Sequence, residues 1–135
     1  MAATKDEILE AVQAAIAGAL GVDESDATPE ATLMGDLGAE SIDLLDVLYR
    51  IERKLKVKIQ ASDLAAHVQG GISDEEFGDE AGIITPVGLA QLHKVMPQID
   101  PDALAGKLEA EKVMSLFTVE NLVDMVEQRV SVAAA

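Results

Sequence analysis

Between Ser41 and Leu55 the apolar residues keep one period. Leu44, Leu48, Ile51 and Leu55 recur at i, i+4, i+7 and i+11, a spacing that lines one face of an α-helix and scatters over both faces of a strand. The same period returns near both ends of the chain. Ile8, Leu9, Val12, Ile16 and Leu20 follow a Thr4 and Glu7 capping box and stop at Gly21, which predicts a helix over 5–20. Val119, Leu122, Val123, Val126 and Val130 follow Thr118, the expected cap of a last helix. Between these runs the chain is punctuated. Thr28 and Pro29 read as the start of a single helical turn, Ser62 as the cap of a helix ending before Gly70 and Gly71, and Ser73 with Glu76 as another capping box. Thr85-Pro86 and Asp100-Pro101 each pair a cap with a proline in the first turn. They predict helices near 86–96, carrying Leu89, Leu92 and Met96, and near 101–113, carrying Leu104 and Leu108. No segment alternates as a strand must, so the expected class is all-α.

Composition narrows the partners. With 25 Asp and Glu against 10 Lys and Arg, the formal net charge of -15 excludes nucleic acid as the main ligand and favours basic protein surfaces. The same self-repulsion favours a monomer. The 49% of hydrophobic residues, set at helical spacing, is enough to fold a chain of 135 residues as one domain, 1–135. Without cysteine there is no disulfide, thiolate metal site or cysteine nucleophile. His67 and His93 are far apart, belong to no ligand pattern and read as solvated surface residues, so no metal site is expected. No apolar run is long enough for a membrane span, and Met-Ala-Ala-Thr-Lys-Asp-Glu leads into a helix rather than a secretory segment. A cytoplasmic location is expected.

One serine stands at the head of the central helix, in Gly38-Ala39-Glu40-Ser41-Ile42-Asp43. It could simply cap that helix. Nucleophilic catalysis does not fit, because the Gly-x-Ser-x-Gly elbow and its preceding strand are missing. Calcium does not fit either: in loops starting at Asp23 or Asp74 the sixth position holds Thr28 or Asp79 in place of glycine. A serine at a helix start suits an attachment point, where the helix N-terminus favours a phosphate. Around it, Ile42, Leu45 and Tyr49 form a second apolar series beside the stripe, so either the helix is deeply buried or its spare flank docks another molecule. Glu40, Asp43 and Asp46 lie near the helix start, while Arg50, Arg53, Lys54, Lys56 and Lys58 follow with only Glu52 opposing them. That order suits the macrodipole, at up to ~1 kcal/mol per charge.

The segment "LGAESIDLLDVLYRIERKLKVKI", Leu37 to Ile59, resembles the phosphopantetheine-attachment segment of acyl carrier proteins, whose usual core reads Asp-Ser-Leu after a Leu-Gly-Ala turn. Upstream the capped first helix, and downstream "FTVENLVDMVEQRV", are similar to that family's first and final helices. The resemblance implies a four-helix bundle and a carrier rather than an enzyme, with 4'-phosphopantetheine on Ser41 and an acyl thioester at the end of that arm. It implies Glu40, Asp43, Asp46 and Glu52 as an acidic recognition surface, with Ile42 and Tyr49 filling apolar pockets on the partner. Those partners would be a phosphopantetheinyl transferase and the acyl-loading, elongating and acyltransferase enzymes, each with a basic docking patch.

Three departures from the family pattern are visible. Glu40 replaces the usual aspartate. The second half of the central helix is basic where family members are acidic, which points to a dedicated pathway. Residues 61–115 form a helical insertion between the second and last helices, and its start, "KIQASDLAAHVQGGISDEEF", is similar to specialised carriers of very-long-chain acyl groups for lipid A. The inserted Leu89, Leu92, Met96, Leu104 and Leu108 are expected to widen an apolar acyl cleft or only to stabilise the bundle. The alternative for the whole chain is an acidic helical interaction module with an unmodified, capping Ser41.

Overall fold

The computed structural model describes residues 4–134, apart from the side chains of residues 41, 61, 111, 114 and 131–134. Helix α1, Lys5–Leu20, begins where its sequence says it should. The Thr4 hydroxyl accepts from the Glu7 amide, and the Glu7 carboxylate accepts from the Thr4 amide, both at 3.2 Å. Gly21 ends the helix at φ 71°, a left-handed conformation that glycine adopts without strain. Ile8, Val12 and Ile16 of the predicted stripe are fully buried.

The next stretch differs from expectation. The helical turn, of 3-10 type, lies at Glu24–Asp26, while Thr28 and Pro29 belong to a turn closed by the Ala31 amide on the Thr28 carbonyl at 3.1 Å. Beyond it, Thr32 and Asp36 exchange two hydrogen bonds of 2.9 Å, and Leu33 donates to the Phe117 carbonyl at 3.0 Å. This loop is therefore pinned both to itself and to the entrance of the last helix. It delivers the chain to α2, Ser41–Leu55.

Helix α3, Ala61–Gln69, starts before the predicted cap: Gln60 is the N-cap and Ser62 already lies inside. The reason is Asp63, whose carboxylate accepts from the Gln60 amide at 2.8 Å and so fixes the first turn two residues earlier. Gly70 closes it at φ 65°. A single turn, α4, covers Asp74–Phe77 under the Ser73 cap, and α5, Pro86–Val95, begins after Thr85 as the sequence indicates.

The predicted helix over 101–113 is overturned. Helix α6 spans only Pro101–Leu104, and Gly106 then turns left-handed at φ 73°. What defeats the helix is competing backbone pairing: Ile84 donates to the Leu108 carbonyl and Ala110 to the Gly82 carbonyl, each at 2.8 Å. A 3-10 segment, Ala110–Leu116, leads to α7, Val119–Ala134, capped by the Thr118 hydroxyl on the Asn121 amide at 3.2 Å.

Helix α1 packs against both α2 and α7, and α5 packs against α3, α4 and α6. Among the described residues there are isolated bridges but no strand. The architecture is an all-α bundle with additional short helices. Ile16, Ile51, Leu92, Met96, Phe117 and Val126 belong to one continuous buried cluster, so residues from every part of the chain share a core.

Candidate functional site

The site is built around the start of α2. Glu40 is the N-cap, and Ser41 is the first residue of the helix. Asp43 accepts from the Glu40 amide at 2.9 Å, the device that Asp63 repeats at α3. A capping role for Ser41 is thereby corrected, because the position before it holds the cap. The role of Ser41 as an attachment point concerns a side chain outside the described part of the structure.

Helix α2 separates its two apolar series. Leu44, Val47, Leu48 and Ile51 are buried against the bundle, whereas Ile42, Leu45 and Tyr49 are 70%, 52% and 53% exposed. The deeply buried helix is excluded; a spare flank remains. On it, Ile42, Asp46, Tyr49 and Arg53 follow one another at helical spacing, with Glu40 exposed above them and Asp43, Asp46 and Glu52 half-buried. Asp46 pairs with Arg50 at 3.1 Å, and the Arg53 guanidinium stands 5.7 Å from the centre of the Tyr49 ring.

An apolar groove with a cavity volume of about 730 Å³ opens from Ile42, next to Ser41, within the size range of small-molecule sites. Helix α2 contributes Ile42, Leu44, Leu45 and Leu48; α3 contributes Leu64, Ala65 and Val68. Among the described residues Gln69 is the one polar residue of the lining, and the far wall is made by Phe77, Ala110 and Val113. The sequence reading missed that wall. Of the two expectations for Leu89, Leu92, Met96, Leu104 and Leu108, the cleft does not hold, since none of them lines the groove; the stabilising role does, since Leu89, Leu92, Met96 and Leu108 are core residues and Leu104 packs on that core. The available signal for the true wall was Phe77, an aromatic set directly after an acidic one-turn helix.

His93 is exposed as expected; His67 is not. His67 is half-buried between α3, α5 and α7, its Nε2 has no hydrogen-bond partner among the described residues, and burial pushes its pKa down against the opposing Asp124 carboxylate. Among the described residues no group of His, Asp and Glu is placed to hold a metal ion, and no helix is long and apolar enough to cross a membrane.

With this geometry the comparisons become interpretable. The phosphopantetheine attachment site family matches residues 10–69. The chain is 45% identical over 62 residues to the acyl carrier protein of Thermotoga maritima, covering 46% of this chain and 76% of that one. It is 42% identical over 55 residues to the acyl carrier protein of Rubrobacter xylanophilus, covering 41% and 68%. The acyl carrier protein of Helicobacter pylori strain J99 is 40% identical over 52 residues, covering 38% and 67%. This chain belongs to the acyl carrier protein family. No solved structure matches it.

As an acyl carrier protein the chain is a carrier and not an enzyme, and membership implies a covalently attached 4'-phosphopantetheine. Its partners are acyl-handling enzymes and a phosphopantetheinyl transferase. The residues present fit that group: a long helix begins at Ser41, and an apolar groove opens one residue further on. The matched segment contains α2 and ends with α3, so Phe77, Ala110 and Val113 of the groove lie outside the matched residues.

Proposed function

We propose that Ser41 accepts 4'-phosphopantetheine from coenzyme A through a phosphodiester and that the chain then presents thioester-bound acyl groups to the enzymes of a dedicated fatty-acid or lipid A pathway. The arm supplies the thiol that a cysteine-free sequence lacks. The observation that carries this reading is the apolar groove beside the start of α2, because a carrier of acyl chains needs a place to keep them from water. Each buried methylene there is worth ~0.8 kcal/mol. The far wall, unique to the region beyond the family match, supports a pathway with unusually long chains.

Glu40, Asp43, Asp46 and Glu52 attract basic patches on partner enzymes, and Ile42 and Tyr49 enter apolar pockets there. Their support is the coincidence of exposed apolar and acidic side chains on one flank. The pairing of Asp46 with Arg50 does not remove it from this surface, since exposed i,i+4 pairs are worth only ~0.3–0.5 kcal/mol and exchange readily. Residues 1–135 act as one domain, with 61–115 inserted into it; the shared buried cluster supports this. A monomer in the cytoplasm is the setting we assign.

Intact mass after incubation with coenzyme A and a phosphopantetheinyl transferase tests the assignment. One phosphopantetheine is gained, and Ser41→Ala gains none. Absence of the group across several transferases, or its persistence in Ser41→Ala, rejects the reading.

A further inference from the structure

Half of the cations of this acidic chain, five of ten, lie in the nine residues from Arg50 to Lys58, where Glu52 is the one carboxylate. All five are exposed. Arg50 has a local role: it pairs with Asp46, and its guanidinium lies over Gly18 of α1. The macrodipole favours Arg53 and Lys54 in the last turn of α2, but that effect fades within the turn and does not reach Lys58. Lys54, Lys56 and Lys58 make no ion pair among the described residues. Lys56 is the most telling. It ends α2 at φ 58°, the one non-glycine with positive φ among the described residues. Glycine would hold that conformation without strain, yet the sequence keeps a cation there.

We infer that Arg53, Lys54, Lys56 and Lys58 form a second docking patch, for an acidic surface on the same protein partner that engages the start of α2. The inference rests on the carrier reading and deepens it. Asp43 and Lys54 are about 16 Å apart along the helix at 1.5 Å per residue, twice the Debye length of ~8 Å at physiological salt. A partner therefore senses an acidic field from Glu40, Asp43 and Asp46 at the start of α2 and, around the single carboxylate of Glu52, a predominantly basic field at its end. A uniformly basic docking site is repelled at the second patch, so only an enzyme with a basic patch followed by an acidic one seats fully. An anionic membrane is disfavoured because it repels a chain of net charge -15 as a whole, and a second copy is disfavoured for the same reason.

Titration of the ¹⁵N-labelled chain with a decaglutamate peptide at about 0.1 M salt, where the screening length is ~10 Å, tests the patch. Saturable shifts are expected at the amides of residues 53–58 and not at 40–46. R53E/K54E weakens the peptide about tenfold, some 1.4 kcal/mol, while R53K/K54R retains it. In the protein's own cell, the charge-reversed chain carries less acyl group than wild type by intact mass, and R53K/K54R restores the load. Saturable binding to phosphatidylglycerol vesicles in place of the peptide, concentration-dependent shifts at 53–58 in the chain alone, or an acyl load indifferent to charge reversal overturns the inference. A wild-type chain that never gains phosphopantetheine rejects the carrier reading instead, and the peptide titration still judges the patch.

Discussion

The frame made by α1, α2 and α7 and the region from Ala61 to Ser115 share one core but reach it differently. In the frame, helices of fifteen or sixteen residues carry their own caps and stripes. In the other region α4 and α6 have four residues each, too few to stand on helix propensity. Their positions come from backbone pairs such as Thr85 to Phe77, Asp79 to Ile83 and Ile84 to Leu108. Local caps mark helix starts in both regions, as Ser73, Thr85 and Asp100 do in the addition, but the two four-residue helices there depend on contacts between separate segments as well. The buried cluster nonetheless unites them, with Leu92 and Met96 as inaccessible as Ile16 and Ile51.

That union is broken or sharpened most strongly by truncating each side. Phe117→Ala is expected to cost about 3–5 kcal/mol and Leu92→Ala about 2–5 kcal/mol, since both remove fully buried side chains. In denaturant, circular dichroism and amide resonances from both regions should lose their signals in one transition for each variant. A Leu92→Ala protein in which residues 61–115 melt while α1 and α7 persist would show that the two regions are separate stability units.

The groove tests the comparison next, because α2 and α3 supply one wall and Phe77, Ala110 and Val113 the other. Ala110 is exposed to the groove mouth, so Ala110→Phe fills space without entering the core. Displacing about four methylenes of a long acyl chain would forfeit ~3 kcal/mol of sheltering at ~0.8 kcal/mol each. Long-chain acyl forms of the variant should hydrolyse faster than wild type while short-chain forms do not differ. In the wild type, acylation should perturb amides of residues 64–69, 77 and 110–113 and leave 89–104 unmoved. Equal hydrolysis at both chain lengths would assign the far wall a purely structural role.

Lys56 bears on the frame alone. A non-glycine residue in the left-handed region costs roughly 1–2 kcal/mol, offset in part by the extra freedom glycine has when unfolded. Lys56→Gly should therefore raise stability by about 0.5–1 kcal/mol, read from the denaturant midpoint at unchanged slope. A loss of stability would mean that the lysine contributes to the fold and is not retained for a partner.

What the sequence makes legible follows the same division. The bounds of α1, the Thr118 cap and the buried stripe of α2 were readable because period and cap lie within a few residues of each other. The exposure of Ile42, Leu45 and Tyr49 was visible only as an excess of apolar side chains, for which two explanations stood. Ser62 misled because Asp63, one position later, captures the Gln60 amide and starts α3 earlier. The helix expected over 101–113 failed because its rival, backbone pairing with residues 82–84, lies more than twenty residues away. For Leu89 and Leu92 two roles stood, cleft or stabilising core, and their strong pattern draws them into the core, while Phe77, Ala110 and Val113, with no such pattern, face the groove.

His67 joins the two regions and gives the smallest effect. It sits on α3 beside Lys94 and Val95 of α5 and Asp124, Glu127 and Gln128 of α7, with Nε2 buried and unpaired. Burial lowers its pKa from the ordinary value of about 6.5, and the nearby Asp124 carboxylate raises it only in part. In the window between the lowered folded-state pKa and about 6.5, the unfolded chain binds a proton that the folded chain refuses. Stability then rises with pH through that window and is flat above it with respect to this group. Acidification from about pH 7.5 to 5.5 should therefore lower the melting temperature of the wild type relative to His67→Gln, which has no proton to gain. Because the ring is only half-buried, solvent keeps the difference small. Comparing the two pH profiles cancels the general stabilisation that acid brings to a chain of net charge -15. Parallel profiles would show that the imidazole charges without disturbing the joint between α3, α5 and α7, and that apolar packing and other polar contacts such as Gln98 with Asn121 hold the two regions together.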